Sequence, residues 1–320
     1  MNTLSGYRAD EDTRSRARRG LGVFFAVLVP LTVVPIWLAT STGILLLSLV
    51  AAFSPAIASV VVRLGLREGF ADVSFRLGGG RGLRALLVTP VVPLAVCSLS
   101  FGLAWATGLA GFDPIPGAIP LAGLLGEGAS PVAVFATQVA VATLLVSIPI
   151  SAISFGEELG WRGYMLTRFI EAGVPRPILL HGLVWALWHL PIFLVGYASG
   201  PYSPALAFGI LAVQITTAGY ILARLRLSTG SVWPAVLFHG MWNSIIQQGF
   251  DPAKTGVGAA LWVGESGLLT TLALILAAAI FSLGRWSYVR SLPASEAAPA
   301  DERPGPAEGG DLPKIEPSTP

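Results

Sequence analysis

The sequence predicts an all-α polytopic membrane protein, a bundle of about eight transmembrane helices. Of the 320 residues, 53% are hydrophobic and only 12% are charged, and the mean hydropathy is +0.71. Soluble domains usually carry about 25% charged residues. The apolar residues also form unbroken runs of roughly 20, long enough to cross about 30 Å of hydrocarbon as helices. We therefore expect the lipid bilayer to surround most of the chain.

The first apolar run follows "RSRARRG", which is similar to the start of a signal peptide. The run itself, 21–39, is longer than the apolar region of about 7–15 residues in such peptides, so we expect a retained first span. The runs predict spans at 21–39, 43–64, 83–110, 131–157, 178–196, 203–224, 231–249 and 265–286.

Arginines occur in alternate loops of this arrangement. They precede span 1, lie between spans 2 and 3, 4 and 5, and 6 and 7, and follow span 8, whereas the other loops contain none. This alternation is what the positive-inside rule predicts for a multi-pass protein whose two termini are both cytoplasmic. The 18 arginines against two lysines favour a bacterial cell membrane as its location.

The predicted spans divide the chain into three parts. Residues 1–20 form a cytoplasmic N-terminal segment, 21–290 form the membrane domain, and 291–320 form a cytoplasmic tail. The tail and the stretch before Gly20 lack the large apolar side chains needed to fold, so we expect both to be disordered. The arginines lie in short loops between the spans, where we expect them to contact lipid headgroups. The net charge of +2 therefore does not indicate a nucleic-acid partner. The single cysteine, Cys97, excludes an intramolecular disulfide.

Ionisable residues inside membrane spans are costly, so each one raises a functional hypothesis. Span 5 contains His189 and, one turn into the helix, His181. Span 7 contains His239 and Asn243, which are four residues apart and therefore share one helix face. Such a pair often does no more than hydrogen-bond to a neighbouring helix.

Span 4 ends in the stretch "FGEELGWRGY", which contains two glutamates and an arginine. Glu158 and Arg162 have the spacing of a charge pair on one helix face, so we expect them to anchor the helix end. Glu157 is turned about 100° away and has no such local partner, and we expect it to project into the bundle. At about 1.5 Å per residue, His189 and His239 also lie in or near the cytoplasmic half, so these groups converge.

Two kinds of chemistry suit such a set of residues. A carboxylate in a partly dry site can act as general base on a water, with one histidine holding that water and the other histidine and the asparagine donating to an oxyanion. Alternatively, Glu157, His189 and His239 supply the ligand types of a catalytic zinc site, so zinc stays an open alternative. Both routes lead to hydrolysis of an amide, although the HExxH motif of many soluble metalloproteases is absent.

Three motifs in this order resemble those of the CPBP intramembrane proteases, also called CAAX-protease and bacteriocin-processing or Abi proteins. "EELGWR" fits EExxxR, "WALWH" fits an FxxxH-like motif, and "HGMWN" fits HxxxN. The resemblance is strong over roughly 130–250, and it implies a helical membrane fold with a cavity that opens toward the cytoplasm. Trp185 stands where the motif has phenylalanine, which alters the cavity wall more than the chemistry.

The resemblance also implies roles for the matching positions. Glu157 and His189 would activate a water, and His239 and Asn243 would stabilise the tetrahedral intermediate. The remaining motif positions, Glu158 and Arg162, would hold the site.

We therefore expect an endopeptidase that cleaves a membrane-associated peptide or protein. A non-catalytic adaptor or immunity protein on the same fold is the alternative. A transporter or channel is less favoured, because the charged groups gather toward one side and no polar relay continues into the outer half.

Overall fold

The computed structural model describes residues 9–44, 46–115, 128–196 and 202–283, which form a helical membrane bundle. Its first half contains α1 (Glu11–Thr42), α2 (Leu47–Gly65), α3 (Gly79–Val88), α4 (Val91–Thr107), α5 (Pro131–Val141), α6 (Ser147–Gly160) and α7 (Leu166–Glu171). Its second half contains α8 (Pro177–Trp188), α9 (Leu190–Gly196), α10 (Pro204–Thr229), α11 (Trp233–Ser244), α12 (Ala259–Trp262) and α13 (Leu268–Leu283).

Wider and tighter turns interrupt these helices. The π-helices are π1 (Ala142–Val146), π2 (Trp161–Met165) and π3 (Ile245–Phe250), and short 3-10 turns lie at Ala71–Val73 and Asp251–Ala253. Two short antiparallel strands, β1 (Gly111–Phe112) and β2 (Lys254–Thr255), pair Gly111 with Thr255. We call the end of the bundle that carries β1 and β2 the hairpin end, although these two strands are distant in sequence. We call the opposite end, where π2 follows α6 and where α11 begins, the arginine end.

The predicted polytopic helical bundle is confirmed. Within the described residues, six continuous helical stretches are long and apolar enough to cross a membrane, and they correspond to the first six predicted spans. The eighth predicted span corresponds to α13, a shorter apolar helix of 16 residues. The seventh corresponds to α11 and π3, which carry His239, Asn243 and two glutamines and are therefore less apolar.

Two helices extend further than the predicted spans. From Glu11 to Gly20 the chain is helical rather than disordered, because α1 starts at Glu11, where the Asp10 carboxylate accepts from the Thr13 amide at 2.7 Å and caps the first turn. The helical stretch that contains predicted span 4 continues past residue 157, from Pro131 to Glu171. The predicted tail, 291–320, lies outside the described residues.

Small residues let the helices that carry the predicted site approach closely. At Gly240 of α11, an added Cβ would lie 2.6 Å from the Ser151 Cα of α6. At Gly182 of α8, it would lie 2.9 Å from the Thr216 carbonyl oxygen of α10. Interfaces of this kind are common between membrane helices because they bring backbones close together. The result is that α6, α8, α10 and α11 surround one buried polar cluster.

Candidate active site

The buried polar cluster begins with an ion pair on α6 and π2. An Nη1 proton of Arg162 is donated to Glu158 Oε1 at 2.6 Å, and both side chains are completely buried. This is the pair that the i,i+4 spacing predicts. The pair lies inside a continuous helical stretch rather than at its end, so two opposite charges compensate each other within the apolar bundle.

Glu158 also contacts a second helix. Its Oε1 lies 2.9 Å from Nδ1 of His239 on α11, and His239 is buried as well. The close crossing of α6 and α11 at Gly240, the residue after His239, makes this contact reachable. Sequence reasoning assigned Glu158 only to its own helix end. The structure gives it a further contact that fixes the His239 ring and leaves Nε2 as the other nitrogen of that imidazole.

Glu157 points toward α8. Its Oε2 accepts a hydrogen bond of 3.0 Å from the indole Nε1 of Trp185, and the residue is 8% exposed. The projection of Glu157 away from the Glu158–Arg162 pair is what the 100° rotation between successive helical residues predicts. The indole contact holds one carboxylate oxygen in a defined place.

Trp185 is the centre of the cluster and was underestimated by sequence reasoning. The Arg162 guanidinium stacks over its ring, with Cζ 4.1 Å from the centroid. Its ring lies 5.2 Å from that of His239 and 5.7 Å from that of His189, in edge-on geometry. The signal that could have found it is the polar N–H of an indole four residues before a histidine in an apolar helix, because a buried indole N–H needs an acceptor.

His189 caps the end of α8. Its Nδ1 lies 2.8 Å from the carbonyl oxygen of Trp185, and the residue is half-buried. The ring of Trp188 packs edge-on against it at 4.8 Å. These contacts orient the imidazole and, as in His239, leave Nε2 as the nitrogen that can meet another group.

Asn243 lies one turn beyond His239 on α11 and is half-buried. His181, the third histidine, is completely buried near the α8–α10 crossing at Gly182. It stands four residues before Trp185 on the same face of α8, and the structure gives it no contact with Glu157 or Glu158.

The described side chains do not form a ready zinc site at Glu157, His189 and His239. In the described ranges, no three histidine, cysteine or acidic side chains are placed to hold one metal ion. The Nδ1 atoms of both rings have protein partners, Glu158 for His239 and the Trp185 carbonyl oxygen for His189, so each Nε2 stays available to a water or to a metal ion.

A further polar contact lies beyond Asn243, toward the hairpin end. Gln247 of π3 lies four residues beyond Asn243, and its Nε2 donates to Oε1 of Glu265 at 2.8 Å. Glu265 precedes α13 and lies toward the hairpin end, in the same loop as Gly264, next to the Asp251–Lys254 pair. Polar residues on α11 and π3 therefore extend from His239 to Gln247, which contacts Glu265 in the loop before α13.

Residues 135–245 match the protein-family model described as Type II CAAX prenyl endopeptidase Rce1-like. The matched segment contains all six predicted site residues and Trp185. The match confirms the resemblance that the three motifs indicate. A comparison with curated proteins found no match.

Proposed function

We propose that this protein is an intramembrane endopeptidase in which the Glu157 carboxylate activates a water molecule. The observation that carries the proposal is the placement of this carboxylate, held by Trp185 in an apolar bundle beside two oriented imidazoles. The Rce1-like match over 135–245 supports an endopeptidase that acts at membranes. Its substrate is then a membrane-associated peptide or protein.

In the proposed reaction, Glu157 takes a proton from water while the water oxygen attacks the carbonyl carbon of the peptide bond. Nε2 of His189 holds the same water. The tetrahedral oxyanion that forms accepts hydrogen bonds from His239 and Asn243. The C–N bond then breaks, and the proton held by Glu157 passes to the leaving nitrogen. No step of this sequence requires a metal ion.

Glu158 and Arg162 have a positioning role in the proposal. The contact between Glu158 Oε1 and His239 Nδ1 would direct Nε2 of that ring toward the oxyanion. Arg162 compensates the Glu158 charge at 2.6 Å and presses against the Trp185 ring that holds Glu157. The ion pair therefore supports both sides of the site.

The test compares membrane fractions from cells that express wild type or Glu157→Gln, by mass spectrometry of peptide termini. We expect new termini that appear with wild type and are absent with Glu157→Gln, because the amide keeps the shape but cannot accept the proton. Glu11→Gln makes the same chemical change at an exposed residue of α1 and should retain every cleavage.

Identical termini in wild type and a folded Glu157→Gln variant would contradict the proposal and favour the adaptor or immunity protein. Ion flux into proteoliposomes that is lost on the same substitution would favour a transporter instead. That measurement matters because the polar residues do continue toward the hairpin end.

A further inference from the structure

The line of polar side chains on α11 and π3 continues beyond the residues used in the proposed reaction. His239, Asn243 and Gln247 follow one another at intervals of four. On an ideal α-helix, side chains four residues apart do not lie directly above one another, and the angular offset grows with each interval. The wider i→i+5 turns of π3 rotate the chain less per residue and so reduce this offset. The three side chains therefore stay on one face.

A carboxylate lies at the far end of this line. Gln247 is exposed and donates its amide N–H to Glu265 Oε1 at 2.8 Å, and Glu265 is half-buried. The neighbouring cation, Lys254, is already paired with Asp251 at 2.6 Å. Within the described part of the chain, no lysine or arginine forms an ion pair with Glu265, so the loop as a whole carries one surplus negative charge.

We propose that Gln247 and Glu265 form a substrate subsite that binds a cationic side chain, lysine or arginine, of the segment being cleaved. The subsite rests on the proposed function. A carboxylate that has lost part of its hydration between apolar helices is strongly stabilised when it forms an ion pair with a cation. The Gln247 amide fixes the carboxylate toward the same face as His239 and Asn243.

The geometry also predicts where the cation stands in the substrate. Gln247 is eight residues beyond His239, which corresponds to roughly 12 Å along a helix. An extended peptide advances about 3.3 Å per residue, so this distance spans three or four substrate residues. Cleavage sites should therefore show lysine or arginine at about that separation from the scissile bond, always on the same side.

The experiment extends the comparison of peptide termini to Glu265→Gln, Glu265→Asp and Glu265→Lys. Glu265→Gln should weaken cleavage of sites with the cation by about tenfold or more, because the charge pair is lost, while sites without it persist. Glu265→Asp keeps the charge and should retain the preference, and Glu265→Lys should favour an acidic residue at that place. Asp113→Asn, an exposed carboxylate at the hairpin end, is the matched control and should change nothing.

The outcomes separate the subsite from the proposed function. If Glu157→Gln abolishes cleavage but all Glu265 variants cut the same sites at wild-type rates, the subsite is disproved and the endopeptidase stands. If folded Glu265→Gln loses every cleavage equally, Glu265 does not determine specificity and the subsite is again disproved. If Glu157→Gln cleaves like wild type, the proposed function fails. If Glu265→Gln does not accumulate in the membrane, the other two variants test the subsite. Glu265→Asp should still prefer substrates with the cation, whereas Glu265→Lys should prefer substrates with an acidic residue at that place.

Discussion

At the scale of single residues, the candidate site depends on a tryptophan where the related motif has phenylalanine. Trp185 donates to Glu157, supports the Arg162 guanidinium and packs against two imidazoles. A phenylalanine would keep the ring contacts but could not donate. The position therefore combines an apolar wall with one hydrogen bond to the proposed base, and the two contributions can be separated by substitution.

Trp185→Phe should slow peptide cleavage without unfolding the protein. A hydrogen bond to a charged group contributes about 1.5–3 kcal/mol, which corresponds to roughly a 10- to 160-fold loss of rate if the bond positions Glu157 for the reaction. The measurement is the rate at which a cleaved terminus appears in membranes with equal amounts of each variant. Trp105→Phe, in the aromatic cluster at the hairpin end, is the control and should keep the wild-type rate. Equal rates for both variants would show that the indole N–H is not used.

At the scale of helices, the site exists because α6 and α11 cross closely, with only the small Ser151 side chain of α6 against Gly240 of α11. Gly240 lies against Ser151 at that crossing, and the neighbouring His239 thereby reaches Glu158. The contact includes the Ser151 Cα, so a change of the Ser151 rotamer alone could not make room for a larger residue at position 240.

Gly240→Ala should separate α6 from α11 and weaken both the fold and the site. Its Cβ would stand 2.6 Å from the Ser151 Cα, and overpacking of this kind typically costs about 1–3 kcal/mol. We expect a lower thermal midpoint in detergent together with loss of cleavage. Gly102→Ala on α4 is the matched control, because its Cβ would meet nothing within 4 Å and alanine favours a helix. An unchanged midpoint for Gly240→Ala would mean that the helices do not cross so closely.

The helices also show which features a sequence can predict and which it cannot. Apolar runs located the spans, and i,i+4 spacing located the Glu158–Arg162 pair. Local patterns did not predict that the helix continues from α6 through π2. Within π2 the Gly163 carbonyl oxygen accepts a hydrogen bond of 2.7 Å from the Arg63 guanidinium of α2, a partner 100 residues away in the sequence. The contacts of Trp185 and Gln247 likewise join residues that are distant in sequence. Pairwise contacts of this type have no periodic signature.

At the scale of the whole molecule, the two ends of the bundle differ in charge. At the arginine end, Arg63 and Arg168 form ion pairs with Asp72, and the segment between α2 and α4 adds four more arginines, Arg67, Arg76, Arg81 and Arg84. The described part of the hairpin end holds the Asp251–Lys254 pair and Glu265. By the positive-inside rule we expect the arginine end to face the cytoplasm, with both termini on that side.

This orientation can be tested with single cysteines, because Cys97 is the only native cysteine and is completely buried. In a Cys97→Ala background, Asp113→Cys and Val257→Cys place a thiol at exposed positions of the hairpin end, and Arg84→Cys places one at an exposed position near the start of α3. A maleimide that cannot cross membranes should label the first two in intact cells and Arg84→Cys only after the cells are opened. The Cys97→Ala parent should stay unlabelled throughout. The reverse pattern would invert the bundle, so that the Glu265 loop faced the cytoplasm and the arginine end faced outward. In that case the subsite formed by Gln247 and Glu265 would bind its cation on the cytoplasmic side of the membrane.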